Sequence, residues 1–101
     1  METIQVHYPV VLHKDEGTEY GVSAPDLLGC ISVGSTFAQA LKNMKSAMEF
    51  HIRGMLADDD EVPEPQPIEV HLPDEVYEQG IWALVELVLP AATFAKRPAA
   101  A

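Results

Sequence analysis

The sequence carries a single cysteine, Cys30, in 101 residues, so no disulfide can close within the chain. A lone thiol suits a reducing compartment. Basic residues are scarce. Six Lys and Arg stand against sixteen Asp and Glu, for a formal net charge of −10. Phosphate backbones attract the opposite sign, so direct nucleic-acid binding by this stretch is disfavoured. A basic protein is the natural counter-surface for such a chain; simple solubility is the other use of the same charge. No apolar run approaches the roughly 20 residues that span a membrane. Met1-Glu2-Thr3 leads into alternation, not into a basic start and an apolar block, so no signal peptide is read. These absences favour a cytoplasmic protein without membrane contact.

What is present is 48% apolar residues, enough for one small core. Ile4, Val6, Tyr8, Val10 and Leu12 alternate with polar neighbours and predict a strand with one buried face. Pro9 has no N–H to donate, so this strand is expected to be an edge or to be interrupted there. Lys14 to Gly17 makes a polar turn. Tyr20, Val22 and Ala24 then alternate as the second arm of a hairpin. Cys30 to Val33 reads as a short third strand.

Thr36 with Gln39 forms a capping box. Phe37, Leu41, Met44, Met48, Ile52 and Met55 then recur at helical spacing, which predicts a long helix with one apolar face turned to the sheet. Asp58-Asp59-Asp60 opposes the negative end of the helix dipole and is expected to stop it near Leu56. Residues 62–80 are a Pro-rich connection, with Pro63, Pro65, Pro67 and Pro73 favouring an extended tether, Ile68, Val70 and Leu72 alternating within it, and one helical turn before Gly80. Ile81 to Leu89 is nearly all apolar and predicts a strand covered on both faces, inside the sheet. Residues 91–101 are expected to be a disordered tail.

The resulting fold class is α+β: strand, strand, strand, helix, strand, in a mixed sheet with the helix on one face. With the helix as a right-handed crossover, the last strand is expected to run parallel to a neighbour, the first strand being the favoured one.

Three stretches carry a resemblance: Tyr8-Pro9-Val10-Val11, then Tyr20 through Pro25-Asp26-Leu27-Leu28-Gly29-Cys30, then Gly34-Ser35-Thr36-Phe37 with the alanine-rich helix behind it. The chain resembles the N-terminal domain of the HicB antitoxin family from about Ile4 to Leu89. Leu28 stands where the family pattern has proline, and Ser35 where it has aspartate. The resemblance implies a partial ribonuclease-H-like fold over residues 1–90. It also implies a cytoplasmic antitoxin of a type II pair, which covers a small, basic, mRNA-cleaving HicA-like toxin. In the complete family members a C-terminal DNA-binding domain represses the operon. This chain has no such domain, so operator DNA is expected only through a part absent here.

An active ribonuclease-H-like sheet needs carboxylates on its first strand to hold two cations. Thr3 to Leu12 contains no Asp or Glu, so a divergent nuclease is the disfavoured rival and no catalytic residue is assigned. His7, His13, His51 and His71 show no paired ligand spacing, and no metal site or cofactor is expected. Cys30 reads as a small buried apolar group, and the Met face as core. Asp58 to Glu61 is either a solvated helix stop or a docking patch. Leu27 and Leu28 either tuck under the sheet edge or meet a partner. The residues assigned to partner contact are Tyr20, Asp26, Leu27, Leu28, Glu49, Trp82 and Glu86. Self-association as a homodimer or higher is also expected, because an open sheet edge gains from pairing. A stand-alone binding module of the same fold, with no toxin partner, is the remaining alternative.

Overall fold

In the computed structural model, which describes residues 2–14 and 16–94, the chain forms β1 (Thr3–Lys14), β2 (Tyr20–Ser23), β3 (Ile31–Gly34), a 21-residue helix α1 (Phe37–Ala57), a short helix α2 (Ile68–His71) and β4 (Ile81–Pro90). Single 3-10 turns at Glu75–Tyr77 and Ala91–Phe94 flank β4. The class is α+β, and the four strands make one sheet in the order β3-β2-β1-β4.

The alternation seen in the sequence places the core. Tyr8, Val10 and Leu12 from β1 meet Val22 from β2 and Val85, Leu87 and Leu89 from β4 on one face. Helix α1 covers that face, burying Ala40, Met44, Met48 and Ile52. Thr36 caps the helix: its hydroxyl accepts the Gln39 N–H at 3.0 Å. The reciprocal half of the expected box is replaced. The Gln39 amide donates to Asn43 at 2.9 Å, and Asn43 donates to the Val33 carbonyl at 2.8 Å, which ties α1 to β3. The helix ends at Ala57, with the Asp58 and Asp59 N–H groups returning to the Gly54 and Leu56 carbonyls.

Gly34 is required where β3 turns into the helix. A Cβ there would collide with the backbone of Gln39 and Ala40.

Three expectations are corrected. First, β4 does lie beside β1, but antiparallel, from Thr3↔Pro90 to Leu12↔Ile81, so the sheet is wholly antiparallel and not mixed. The reason is a second traverse. After α1, the segment from Val62 to Gly80 travels back along the molecule before β4 starts opposite Leu12, and this reverses the strand.

Second, β4 is an edge strand and β1 is central. Leu84 and Val88 are more than half exposed, so the apolar run is not covered on both faces. Pro9 sits in a central strand without loss because the β1–β2 ladder ends at Val11↔Ser23, short of it.

Third, Ile68, Val70 and Leu72 do not alternate along an extended tether. Ile68 to His71 is a helical turn, and Val70 and Leu72 are exposed. Residues 91–94 do not match the tail expected from residue 91. Thr93 is buried and Phe94 packs on the core, while the expectation for 95–101 lies outside the described residues.

Candidate interaction surface

The turn after β2 is built by its own backbone. The Leu27 N–H donates to the Ala24 carbonyl at 3.0 Å, the Cys30 N–H to the Leu27 carbonyl at 3.0 Å, and Gly29 takes a φ of +83° that other residues adopt at a cost. This geometry separates the two leucines. Leu27 is 1% exposed and belongs to the core, while Leu28 is 86% exposed. Leu27 therefore has no surface to offer a partner.

Asp26, between them and Pro25, is turned inward. Its side chain is 5% exposed. One oxygen accepts the Gln66 N–H at 3.1 Å, and the other lies 3.0 Å from His71 Nε2. His71 in turn stacks on Trp82, with centroids 6.1 Å apart and planes 10° apart, and Tyr77 meets both rings edge-on. Asp26 and Trp82 are thus two ends of a clasp that fastens the 62–80 connection across the second face of the sheet, where Pro9 and Val11 are buried. The Tyr8 hydroxyl adds a bond of 2.6 Å to the Pro63 carbonyl. Burial, helped by the nearby Asp26 and Glu64 carboxylates, raises the Tyr8 phenol above its ordinary value. Burial likewise raises the Cys30 thiol, which disfavours the reactive thiolate.

Beside the clasp, Pro25, Asp26, Leu27, Leu28, His51, Met55 and Pro63 line an open groove of about 440 Å³. The connection that borders it is strongly acidic. Asp58, Asp59, Asp60, Glu61, Glu64, Glu69, Asp74, Glu75 and Glu78 lie there without a Lys or Arg among them. The basic residues Lys42, Lys45 and Arg53 are on the exposed side of α1 instead. The surface is therefore polarised within an acidic whole.

The remaining assigned contacts are dispersed. Tyr20 packs edge-on against Phe37 at 5.9 Å, with the Lys14 ammonium 5.6 Å from its ring centre. Glu49 lines a separate groove with Arg53, Leu56, Val88 and Pro90. Glu86 is exposed on β4, opposite His7. The seven residues do not form one patch. Sequence reasoning passed over exposed Phe50, whose position off the apolar seam of α1 was a usable signal. It also passed over the outward Leu84 and Val88, which a nearly continuous apolar run conceals.

Among the described residues no group of three or more His, Cys, Asp or Glu side chains is placed to hold a metal ion, and no helix is long and apolar enough to cross a membrane.

Comparison with known proteins meets this geometry from outside. The family model for the HicB-like antitoxin of bacterial toxin–antitoxin systems matches residues 8–97. An uncharacterized 14.9 kDa protein in the rep-hol intergenic region of Haemophilus phage HP1 is 42% identical over 83 residues, 81% of this chain and 61% of the phage protein. The chain thus spans less than two thirds of that relative's length. The crystal structure of the Burkholderia pseudomallei antitoxin HicB has a TM-score of 0.75 at 29% identity, covering 92% of this chain and 70% of that one. Its separately solved N-terminal domain gives a TM-score of 0.70 at 32% identity, covering 79% and 95%. A HicA3 and HicB3 toxin–antitoxin complex gives 0.65 at 27%, covering 78% and 94%. The chain belongs to the HicB-like antitoxin family, a family of proteins that neutralise toxins and are not enzymes.

Proposed function

We propose that this domain neutralises a small, basic, HicA-like mRNA-cleaving ribonuclease in the cytoplasm by covering its RNA-binding surface. The observation that carries the reading is the juxtaposition of an apolar groove, lipped by exposed Leu28, with the acidic connection that borders it. An apolar anchor inside a charged rim is the usual anatomy of a specific protein interface. The acidic rim draws in a basic enzyme and repels the RNA that competes for it. In this scheme Leu28 makes contact, and Asp26 acts indirectly by holding the connection in place. Tyr20, Glu49, Trp82 and Glu86 remain outside the groove. The domain also pairs with itself, and its acidity disfavours direct contact with operator DNA.

The test is direct. The chain is mixed with the ribonuclease encoded beside it, and RNA cleavage is followed. Stoichiometric inhibition, weakened at least tenfold by Leu28→Lys, is the expected result. Undiminished cleavage at excess antitoxin defeats the reading and leaves the stand-alone binding module.

A further inference from the structure

Pro63 borders two hollows. One is the groove at Leu28; the other, of about 320 Å³, is lined by Glu61, Val62, Pro63, Glu64, Thr93 and Phe94. Two chain segments meet to form it. Val62 is 4% exposed and starts the connection from the core. The turn after β4 brings Thr93 and Phe94 alongside, and the Thr93 hydroxyl fixes that turn by donating to the Pro90 carbonyl at 2.7 Å. The floor is therefore apolar, with Val62 buried and Phe94 packed on the core. The rim is anionic. Glu61 and Glu64 are exposed, and among the described residues neither carboxylate has a hydrogen-bond or ion-pair partner. Glu64 is close enough to the Tyr8 phenol to help raise its pKa, so its carboxylate stands at the inner side of the rim.

We infer that this hollow takes an arginine side chain of the basic partner, with the guanidinium paired to Glu64 and the stem laid on Val62 and Phe94. The inference rests on the reading above for the identity of that partner, and it adds a second anchor beside Leu28. Because Pro63 lines both hollows, an apolar side chain and an arginine on one continuous surface can seat together.

Charge and shape select the occupant. Phosphate is repelled by the rim. A metal ion is not served, since among the described residues no group of three or more His, Cys, Asp or Glu is placed to hold one. An apolar side chain would cover the rim carboxylates and leave them unpaired. Lysine meets the charge alone. Arginine meets the charge, forks onto a carboxylate and stacks its flat face on an aromatic ring, which Phe94 supplies. Glu61 strengthens the field at the mouth, and no Lys or Arg lies between Asp58 and Glu78 to cancel it.

Titration of the full chain with N-acetyl-arginine amide at low salt, followed by amide NMR shifts, tests the hollow by itself. The Glu61, Val62, Glu64 and Phe94 amides are expected to shift saturably at millimolar concentrations. The lysine analogue is expected to bind about threefold more weakly, and the neutral glutamine analogue not at all. Glu64→Gln, at an exposed position, is expected to weaken the arginine compound about threefold. Phe94→Leu keeps an apolar floor without the ring and is expected to bring arginine down to the level of lysine. The titration is repeated in a Lys96→Gln, Arg97→Gln variant, so that the chain's own cations after Phe94 do not compete. In complex with the ribonuclease, Glu64→Gln is expected to speed dissociation about fivefold with little change in association. No saturable shift at these amides in either protein overturns the inference, as does equal binding of the arginine compound and either analogue. Unchanged ribonuclease dissociation from Glu64→Gln also overturns it, by removing the partner from the hollow. Failure of the toxin reading alone leaves the small-molecule titration unchanged.

Discussion

At the residue scale, Tyr8 couples the sheet to the connection, and its titration is a readout of that contact. Its phenol is held neutral by burial, so its pKa in the fold lies above the ordinary 10.0 that applies in the unfolded chain. The group's stabilising contribution is complete below about pH 10 and is lost as pH rises toward the folded value, because between the two the native state keeps a proton that the unfolded state has released. Wild-type stability is expected to fall above pH 10 by up to about 1.4 kcal/mol per pH unit from this one group. Tyr8→Phe removes that slope and costs about 1 kcal/mol at neutral pH for the lost bond to Pro63. Urea unfolding of both proteins from pH 7 to pH 11 measures the difference; parallel curves refute it. Gly34 is the opposite kind of residue, indispensable for what it lacks. Gly34→Ala forces β3 away from the first turn of α1, since the obstructing atoms are backbone, and is expected to cost about 1–3 kcal/mol in the same assay.

At the element scale, the connection is the part that decides the topology. Among the described residues, side-chain contacts hold it down, chief among them the Asp26–His71–Trp82 clasp. Asp26→Ala removes an acceptor from both His71 and the Gln66 N–H. It is expected to cost about 1–3 kcal/mol and to open residues 62–80 to limited proteolysis while α1 and the β1–β2 hairpin stay intact. Mapping of the first cleavage sites tests this; cuts starting in α1 contradict it. The same element marks the limit of what the sequence discloses. The hairpin, β3 and α1 are legible because period, turn residues and the Thr36 cap are local signals. The direction of β4 is not local. It depends on whether the chain crosses the molecule once or twice between Gly34 and Ile81, and prolines report extension without direction. The edge position of β4 is hidden for a related reason: Leu84 and Val88 are apolar on an open face, so the pattern imitates a strand buried on both sides. Of the residues assigned to contact, Leu28 is an apolar residue in a tight turn, and what the structure adds is its exposure. Asp26 acts through His71, 45 positions away, and spacing alone gives no hint of that pairing.

At the scale of the whole molecule, the uneven distribution of charge predicts how a complex with a basic ribonuclease forms. Acid is concentrated between Asp58 and Glu78, and Lys42, Lys45 and Arg53 lie apart on α1, so the field has a direction as well as a sign. Long-range attraction of this kind speeds encounter and is screened over about 10 Å at 0.1 M salt, whereas an apolar anchor governs how long the complex lasts. The two contributions should therefore separate in kinetics. Raising salt from 50 to 500 mM is expected to slow association about tenfold or more with little change in dissociation. Replacing Asp58, Asp59, Asp60 and Glu61 by their amides should reproduce most of that slowing at 50 mM and leave less for salt to remove. Leu28→Ala should do the reverse, speeding dissociation while preserving the salt dependence of association. Stopped-flow association and surface-based dissociation measurements on the three proteins resolve the pattern. If the amide substitutions alter dissociation alone, the acidic connection is in direct contact and does not steer, and the groove at Leu28 loses its role as the anchor.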